Sequence, residues 1–170
     1  MGGAHVLDGG LSAWTAIAGA LEPGEVEVSA LVPETLHAPD RVRSKADVDA
    51  RRSKPDVLIL DARSADRYEG RVEPIDARAG HIPGAKSAPY SANLVAPGGA
   101  FLPREALAAR YVSLGAVPGR EVIAYCGSGV TACHDVLAMA VAGIEADLYE
   151  GSWSEWAGDP SLPVATGSDP

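Results

Sequence analysis

Val122-Ile123-Ala124-Tyr125-Cys126-Gly127-Ser128-Gly129-Val130-Thr131-Ala132-Cys133 decides how this chain folds. Four apolar residues in a row read as a strand covered on both faces, the pattern of a parallel sheet rather than of an alternating edge. The strand runs straight into a cysteine and two glycines, and a mostly apolar helix is predicted from Gly129 to Val141. Outward from this unit, Val57-Leu58-Ile59-Leu60 predicts a second buried strand. Ala85 to Ala88, after the turn His81-Ile82-Pro83-Gly84, predicts a third, and Ala146 to Tyr149 a last one. Asp47 to Ser53 and Pro103 to Leu114 read as helices; the second has Pro in its first turn and Leu107, Tyr111 and Leu114 spaced for one face. Strands alternating with helices predict an α/β fold, a parallel central sheet of about five strands flanked by helices on both faces. Ligands in such sheets bind at the carboxyl ends of the strands, which is where Cys126 stands.

The loop after Cys126 suits an anion. Gly127 and Gly129 let the backbone turn tightly and aim successive N–H groups at one point. The helix that follows adds its unpaired N–H groups and the positive end of its dipole. A thiolate in that cradle is stabilised and is a nucleophile at neutral pH. Ser128 and Thr131 offer hydroxyls to the same anion, so Cys126 and Ser128 are the catalytic candidates, and Gly127, Ser128, Gly129, Val130 and Thr131 form the cradle.

Composition narrows the function classes. The formal net charge of −9 over 170 residues argues against a nucleic-acid surface and against a polybasic membrane patch. No apolar run is long enough to cross a membrane, and Met1-Gly2-Gly3-Ala4-His5 lacks the basic start of a signal peptide. Two cysteines, Cys126 and Cys133, are too few for a disulfide scaffold, so a reducing, cytoplasmic location is expected. Cys133 is expected to be a small buried residue rather than a resolving thiol. His134 and Asp135 read as exposed or locally hydrogen-bonded.

The string Cys126-Gly127-Ser128-Gly129-Val130-Thr131-Ala132 resembles the active-site loop of the rhodanese superfamily, and more narrowly that of 3-mercaptopyruvate sulfurtransferases. Leu60-Asp61-Ala62-Arg63, Gly80-His81-Ile82-Pro83-Gly84-Ala85 and Tyr149-Glu150-Gly151-Ser152-Trp153-Ser154-Glu155-Trp156 agree with it. The resemblance implies a rhodanese-like fold and a cysteine that takes sulfur from a small anionic donor, holds it as a persulfide and passes it to a thiol or cyanide, with no metal or organic cofactor. Related phosphatases need an arginine six positions after the cysteine, where this chain has Ala132. Neutral Gly127 and Ser128 favour a monoanionic donor such as 3-mercaptopyruvate over dianionic thiosulfate. The resemblance also places arginines that hold the donor carboxylate after Asp61: Arg67 matches the first by position, and Arg78 and Arg71 are the nearest candidates for the second. Here Glu73-Pro74 is followed by Ile75-Asp76 where the family pattern has that second arginine. His81 is expected to be structural, Asp61 and Arg63 to pair beneath the site, Trp153 to wall the pocket and Trp156 to lie in the core.

The chain also carries a weak internal repeat. Val6-Leu7-Asp8-Gly9-Gly10-Leu11-Ser12-Ala13-Trp14 parallels Leu148 to Trp156: a short apolar run, an acidic residue, glycine, then Ser and Trp opening a short helix. By resemblance to tandem sulfurtransferases, residues 1–20 are expected to be the end of a first rhodanese-like domain and 21–40 its connector, with a short edge strand at Val26 and Val28. Residues 41–165 are then the catalytic domain and 166–170 a disordered tail. In such enzymes the site lies between the domains, and a His and an Asp from the first complete a relay with the loop serine. The partners implied are a small sulfur donor, a thiol or cyanide acceptor, and a first domain or a homodimer mate. A thiosulfate-using enzyme and a persulfide-carrier module are the alternative readings.

Overall fold

A computed structural model of the chain describes residues 5–25, 40–96 and 99–170. The edge strand expected at Val26 and Val28 lies outside the described residues. Helix α1 (Gly10–Ala16) comes first, then strand β1 (Val42–Arg43), helix α2 (Lys45–Arg51), strand β2 (Val57–Asp61) and helix α3 (Ala65–Tyr68). Strand β3 (Ala85–Ser87), a 3-10 turn (Tyr90–Asn93), helix α4 (Arg104–Leu114), strand β4 (Glu121–Tyr125), helix α5 (Val130–Ala142), strand β5 (Asp147–Tyr149) and helix α6 (Ser152–Ala157) follow. The strands form one sheet in the order β1-β5-β4-β2-β3, and every pairing is parallel.

The two central strands show why their sequences are continuous apolar runs. In β2, Leu58 and Leu60 face one core and Val57 and Ile59 the other. In β4, Val122 and Ala124 join the first core, which is closed by Leu107, Tyr111 and Met139 of α4 and α5. Ile123 and Tyr125 join the second, closed by Val48, Trp153 and Trp156 from α2 and α6. Both faces are covered, so no position on either strand can be polar without a partner. Asp61, at the end of β2, and Glu121, at the start of β4, are the charged residues of the two strands, and each has a partner, Arg63 for the first and Arg43 and Arg51 for the second.

Helix α2 begins two residues earlier than the sequence predicts, because Ser44 and Asp47 form a reciprocal cap. The Asp47 N–H donates to Ser44 Oγ (3.2 Å), and the Ser44 N–H donates to Asp47 Oδ2 (3.1 Å). The two-residue β1 carried no apolar pattern to announce it. Its place at the sheet edge is fixed by ion pairs instead, with Arg43 Nη2 2.6 Å from Asp147 Oδ2.

Two expectations need correction. Cys133 is exposed, because it falls on the outer face of α5. Asp135, two residues on, is fully buried instead. Near the C-terminus Ala165 pairs with His81 in an antiparallel bridge and the Gly167 N–H donates to Glu69 O (2.9 Å), while residues 166–170 are exposed.

The internal repeat is visible in the backbone. Gly10 and Ser152 occupy equivalent positions in the two copies, each opens a short helix, and both have positive φ (58° and 53°). Their surroundings differ. Trp156 is fully buried and Trp14 is 39% exposed, and α1 buries no residue.

Candidate active site

The site lies at the carboxyl ends of β2 and β4. Cys126 follows the last residue of β4, and its side chain belongs to the core between the sheet and α5. Three bonds hold the turn that follows. The Cys126 N–H donates to Ser152 Oγ (3.1 Å), the Trp153 N–H to Cys126 O (2.9 Å) and the Ser154 N–H to Gly127 O (2.9 Å). The start of α6 is thus the platform on which the loop rests. Gly129 has φ 84°, and a Cβ there would stand 2.8 Å from the Glu150 carbonyl oxygen. Only glycine lets the loop approach β5 that closely.

From Gly127 to Ala132, six successive N–H groups donate to no acceptor among the described residues. They surround the start of α5, a 13-residue helix with no acidic residue in its first turn. Unpaired amides and an uncompensated helix N-terminus together form an anion cradle. A cavity of about 380 Å³ opens over it, lined in part by Cys126, Gly127, Ser128, Val130 and Thr131. The loop residues singled out in the sequence therefore converge, with Gly129 behind them as the hinge of the turn.

The two arginines part company here. Arg67 lines the cavity, beside the loop: its Nη1 would be 3.4 Å from a Cβ at Gly127. Its other nitrogens are taken, Nε and Nη2 donating to Glu73 (3.3 and 2.7 Å) and Nη2 also to Asp76 Oδ2 (3.0 Å). Burial alone would push the Glu73 carboxyl up. Bonds from Arg67 and from the N–H groups of Asp76 and Ile75 hold it below the usual carboxylate range.

Arg78 lies elsewhere. Its guanidinium donates to four backbone carbonyls: Ala157 (2.8 Å), Leu162 (2.8 Å), Trp156 (2.8 Å) and Asp159 (2.5 Å). It caps the C-terminal end of α6 and does not line the cavity, so the structure places it in the scaffold.

Beneath the cavity, Arg63 is clamped as the sequence suggested. Its Nη2 donates to Asp61 Oδ2 (2.6 Å) and to Gly80 O (2.6 Å), and its Nη1 to Glu73 Oε2 (3.2 Å). Trp153 stands behind it rather than in the wall, its ring centre 4.6 Å from the guanidinium carbon. His81 is buried, stacked on Tyr68 (3.8 Å between ring centres), with Nδ1 bonded to Tyr68 O at 2.8 Å. That is a packing role.

Several residues of the site carried no sequence signal of their role. Ser152 and Ser154 sat inside a quoted motif, and the positive φ of Ser152 is the mark that sets it apart. Tyr90 and Asp76 line the cavity, from the turn after β3 and the loop after α3, and Glu73 pairs with Arg67 beside it. Among the described residues, no cluster of His, Cys, Asp and Glu could hold a metal ion, and no helix is long and apolar enough to cross a membrane.

Residues 44–159 match the family model described as rhodanese-like domain. The chain is 48% identical, over 97% of its length, to a Pseudomonas aeruginosa protein named probable 3-mercaptopyruvate sulfurtransferase. It is 36% identical, over 94% of its length, to the thiosulfate sulfurtransferase of the same organism. It spans 58% of the first relative and 59% of the second. A solved structure of the anaerobic ergothioneine biosynthesis enzyme from Chlorobium limicola superposes with TM-score 0.82 and 23% identity, over 95% of this chain and 41% of that one, a likeness of fold. Parallel sheet, cysteine loop and family match agree: the chain belongs to the rhodanese-like domain family.

Proposed function

We propose that this chain transfers sulfane sulfur, with Cys126 as the carrier. The observation that carries the reading is a buried cysteine beneath six unengaged N–H groups at the start of α5. The Cys126 thiolate attacks the sulfur of the donor. With 3-mercaptopyruvate the carbon–sulfur bond breaks, its electron pair leaves on carbon as the enolate of pyruvate, and a proton restores the ketone. With thiosulfate the sulfur–sulfur bond breaks and sulfite leaves. Either way Cys126 gains one sulfur, whose negative charge is held by the amides of Gly127 to Ala132. Ser128 and Thr131 add hydroxyls. A thiolate or cyanide then attacks the outer sulfur and Cys126 leaves as thiolate.

The neutral loop and the 48% identical relative support mercaptopyruvate as donor. The thiosulfate reading is favoured by the second relative. Quenching of Arg67 by Glu73 and Asp76 supports a third possibility, a persulfide carrier with slow small-molecule turnover.

The greater length of the relatives and the exposed copy of the closing motif support a tandem arrangement. On this reading residues 1–20 end a first domain, 21–40 connect, and 41–165 are catalytic. A cytoplasmic setting fits two cysteines that are both free thiols.

Treatment with either donor, followed by intact-mass measurement, tests the reading. A gain of about 32 Da, lost on Cys126→Ser, is the expected result. No adduct with either donor sinks it. Adding a separately expressed first domain should raise turnover with mercaptopyruvate; a chain already fully active alone refutes the tandem reading.

A further inference from the structure

We propose that Arg67 and Asp76 form a two-charge subsite that selects sulfur acceptors bearing an ammonium and a carboxylate on one carbon, that is, small thiol-bearing α-amino acids. The inference rests on the sulfur-transfer reading above and names the acceptor class of that same site.

Both residues line the cavity over Cys126. Each is half committed. Arg67 gives Nε and Nη2 to Glu73 and Asp76, while its Nη1, beside Gly127, donates to no described protein group. Asp76 accepts from Arg67 at Oδ2, while Oδ1 accepts from no described donor. Neither free atom is fully buried, and both side chains line the cavity. The rim therefore presents one free guanidinium edge and one free carboxylate oxygen on covalently separate but ion-paired side chains.

The charge balance favours a zwitterion. Near the cavity stand two cations, Arg63 and Arg67, and three anions, Asp61, Glu73 and Asp76. A simple anion meets Asp76 as well as Arg67, and a simple cation meets the reverse. A ligand with both charges satisfies Nη1 and Oδ1 together. Glu73 does the positioning: by accepting from Arg67 and from the N–H groups of Ile75 and Asp76, it folds residues 73–76 back so that Asp76 reaches the rim.

The step balances without a further reactant. The acceptor thiolate attacks the outer sulfur of the Cys126 hydropersulfide. The sulfur–sulfur bond to Cys126 breaks, Cys126 leaves as thiolate, and the acceptor departs as its own hydropersulfide. Nothing else is oxidised or reduced.

Loading Cys126 with inorganic polysulfide bypasses donor binding, and mass measurement confirms the load. Discharge rates are then compared for L-cysteine, 3-mercaptopropionate, which lacks the ammonium, and cysteamine, which lacks the carboxylate. The decisive readout is how each ratio changes on mutation, because intrinsic thiol reactivity cancels. Asp76→Asn should lower the cysteine-to-mercaptopropionate ratio about tenfold, and Arg67→Gln should lower the cysteine-to-cysteamine ratio similarly. Loss of folding would slow all three thiols alike and leave the ratios untouched. Ratios that change less than about twofold overturn the subsite but leave sulfur transfer standing. A loaded Cys126 that no thiol discharges, or one that never loads, overturns both.

Discussion

Ser152 Oγ accepts the N–H of Cys126 at 3.1 Å and donates to Tyr149 O at 2.9 Å. One hydroxyl thus bridges Cys126, just after β4, to Tyr149 at the end of β5, and it does so from a residue with φ 53°. A left-handed serine is an uncommon conformation, held here by both bonds. Ser152→Ala leaves a buried donor and a buried acceptor without partners, at a cost of about 1 to 3 kcal/mol. Ser152→Gly loses the same bonds but relieves the φ strain, so its loss should be smaller. Urea midpoints of the two variants, read beside the rate of sulfur loading, check the order wild type, Gly, Ala in stability.

The ion pair of Arg63 with Asp61 is a second support. Side chains of both are at most 1% exposed. Replacing Arg63 by Met strands the Asp61 charge and should cost about 3 to 5 kcal/mol. The pair Asp61→Asn with Arg63→Met should recover part of that loss. A double variant no more stable than the single one contradicts the stranded-charge explanation, and thermal melts decide it.

These residues also show what could be read in advance. The parallel sheet was legible because β2 and β4 are uninterrupted apolar runs, and the cysteine loop because glycine spacing and a helix start are local properties. Asp61 and Arg63 were legible as a pair because they are two residues apart. Arg78 was not, since the carbonyls it binds lie some 80 positions along the chain and backbone acceptors leave no trace in composition. The same holds for Glu73 and Asp76, whose effect on Arg67 depends on how one loop folds back. Burial of Asp135 and exposure of Cys133 turn on the rotation of α5, which a helix apolar on most sides does not specify.

Arg78 and Arg67 should therefore separate in function. Arg78→Ala frees four carbonyls at the end of α6 and should cost about 1.5 to 3 kcal/mol, while leaving the KM for the donor unchanged below its melting range. Arg67→Gln should raise the KM for mercaptopyruvate about tenfold, and it should also lower stability, because it takes a partner from the buried Glu73 and Asp76 carboxylates. Steady-state kinetics and calorimetry on both variants test the pair. A raised donor KM in Arg78→Ala would return that residue to the site.

Asp135 sets a pH dependence. Burial pushes its carboxyl up to about 7, outweighing the bond from Asn93 Nδ2 to Oδ1 (2.7 Å) and the nearby Arg110 and Tyr111; Oδ2 has no partner. Between the ordinary carboxylate range and pH 7 the native state holds this proton and the unfolded chain has released it. Unfolding free energy therefore falls as pH rises through that window. Neighbouring His134, lowered by burial, works in the opposite sense, since folding then disfavours its proton as pH falls. Wild type minus Asp135→Asn removes that common contribution. The variant should gain stability relative to wild type as pH rises from 5 to 8, and most of the gain should be complete at the upper end. Urea titrations at successive pH values give the difference directly, and a difference that stays constant across the window removes Asp135 as its source.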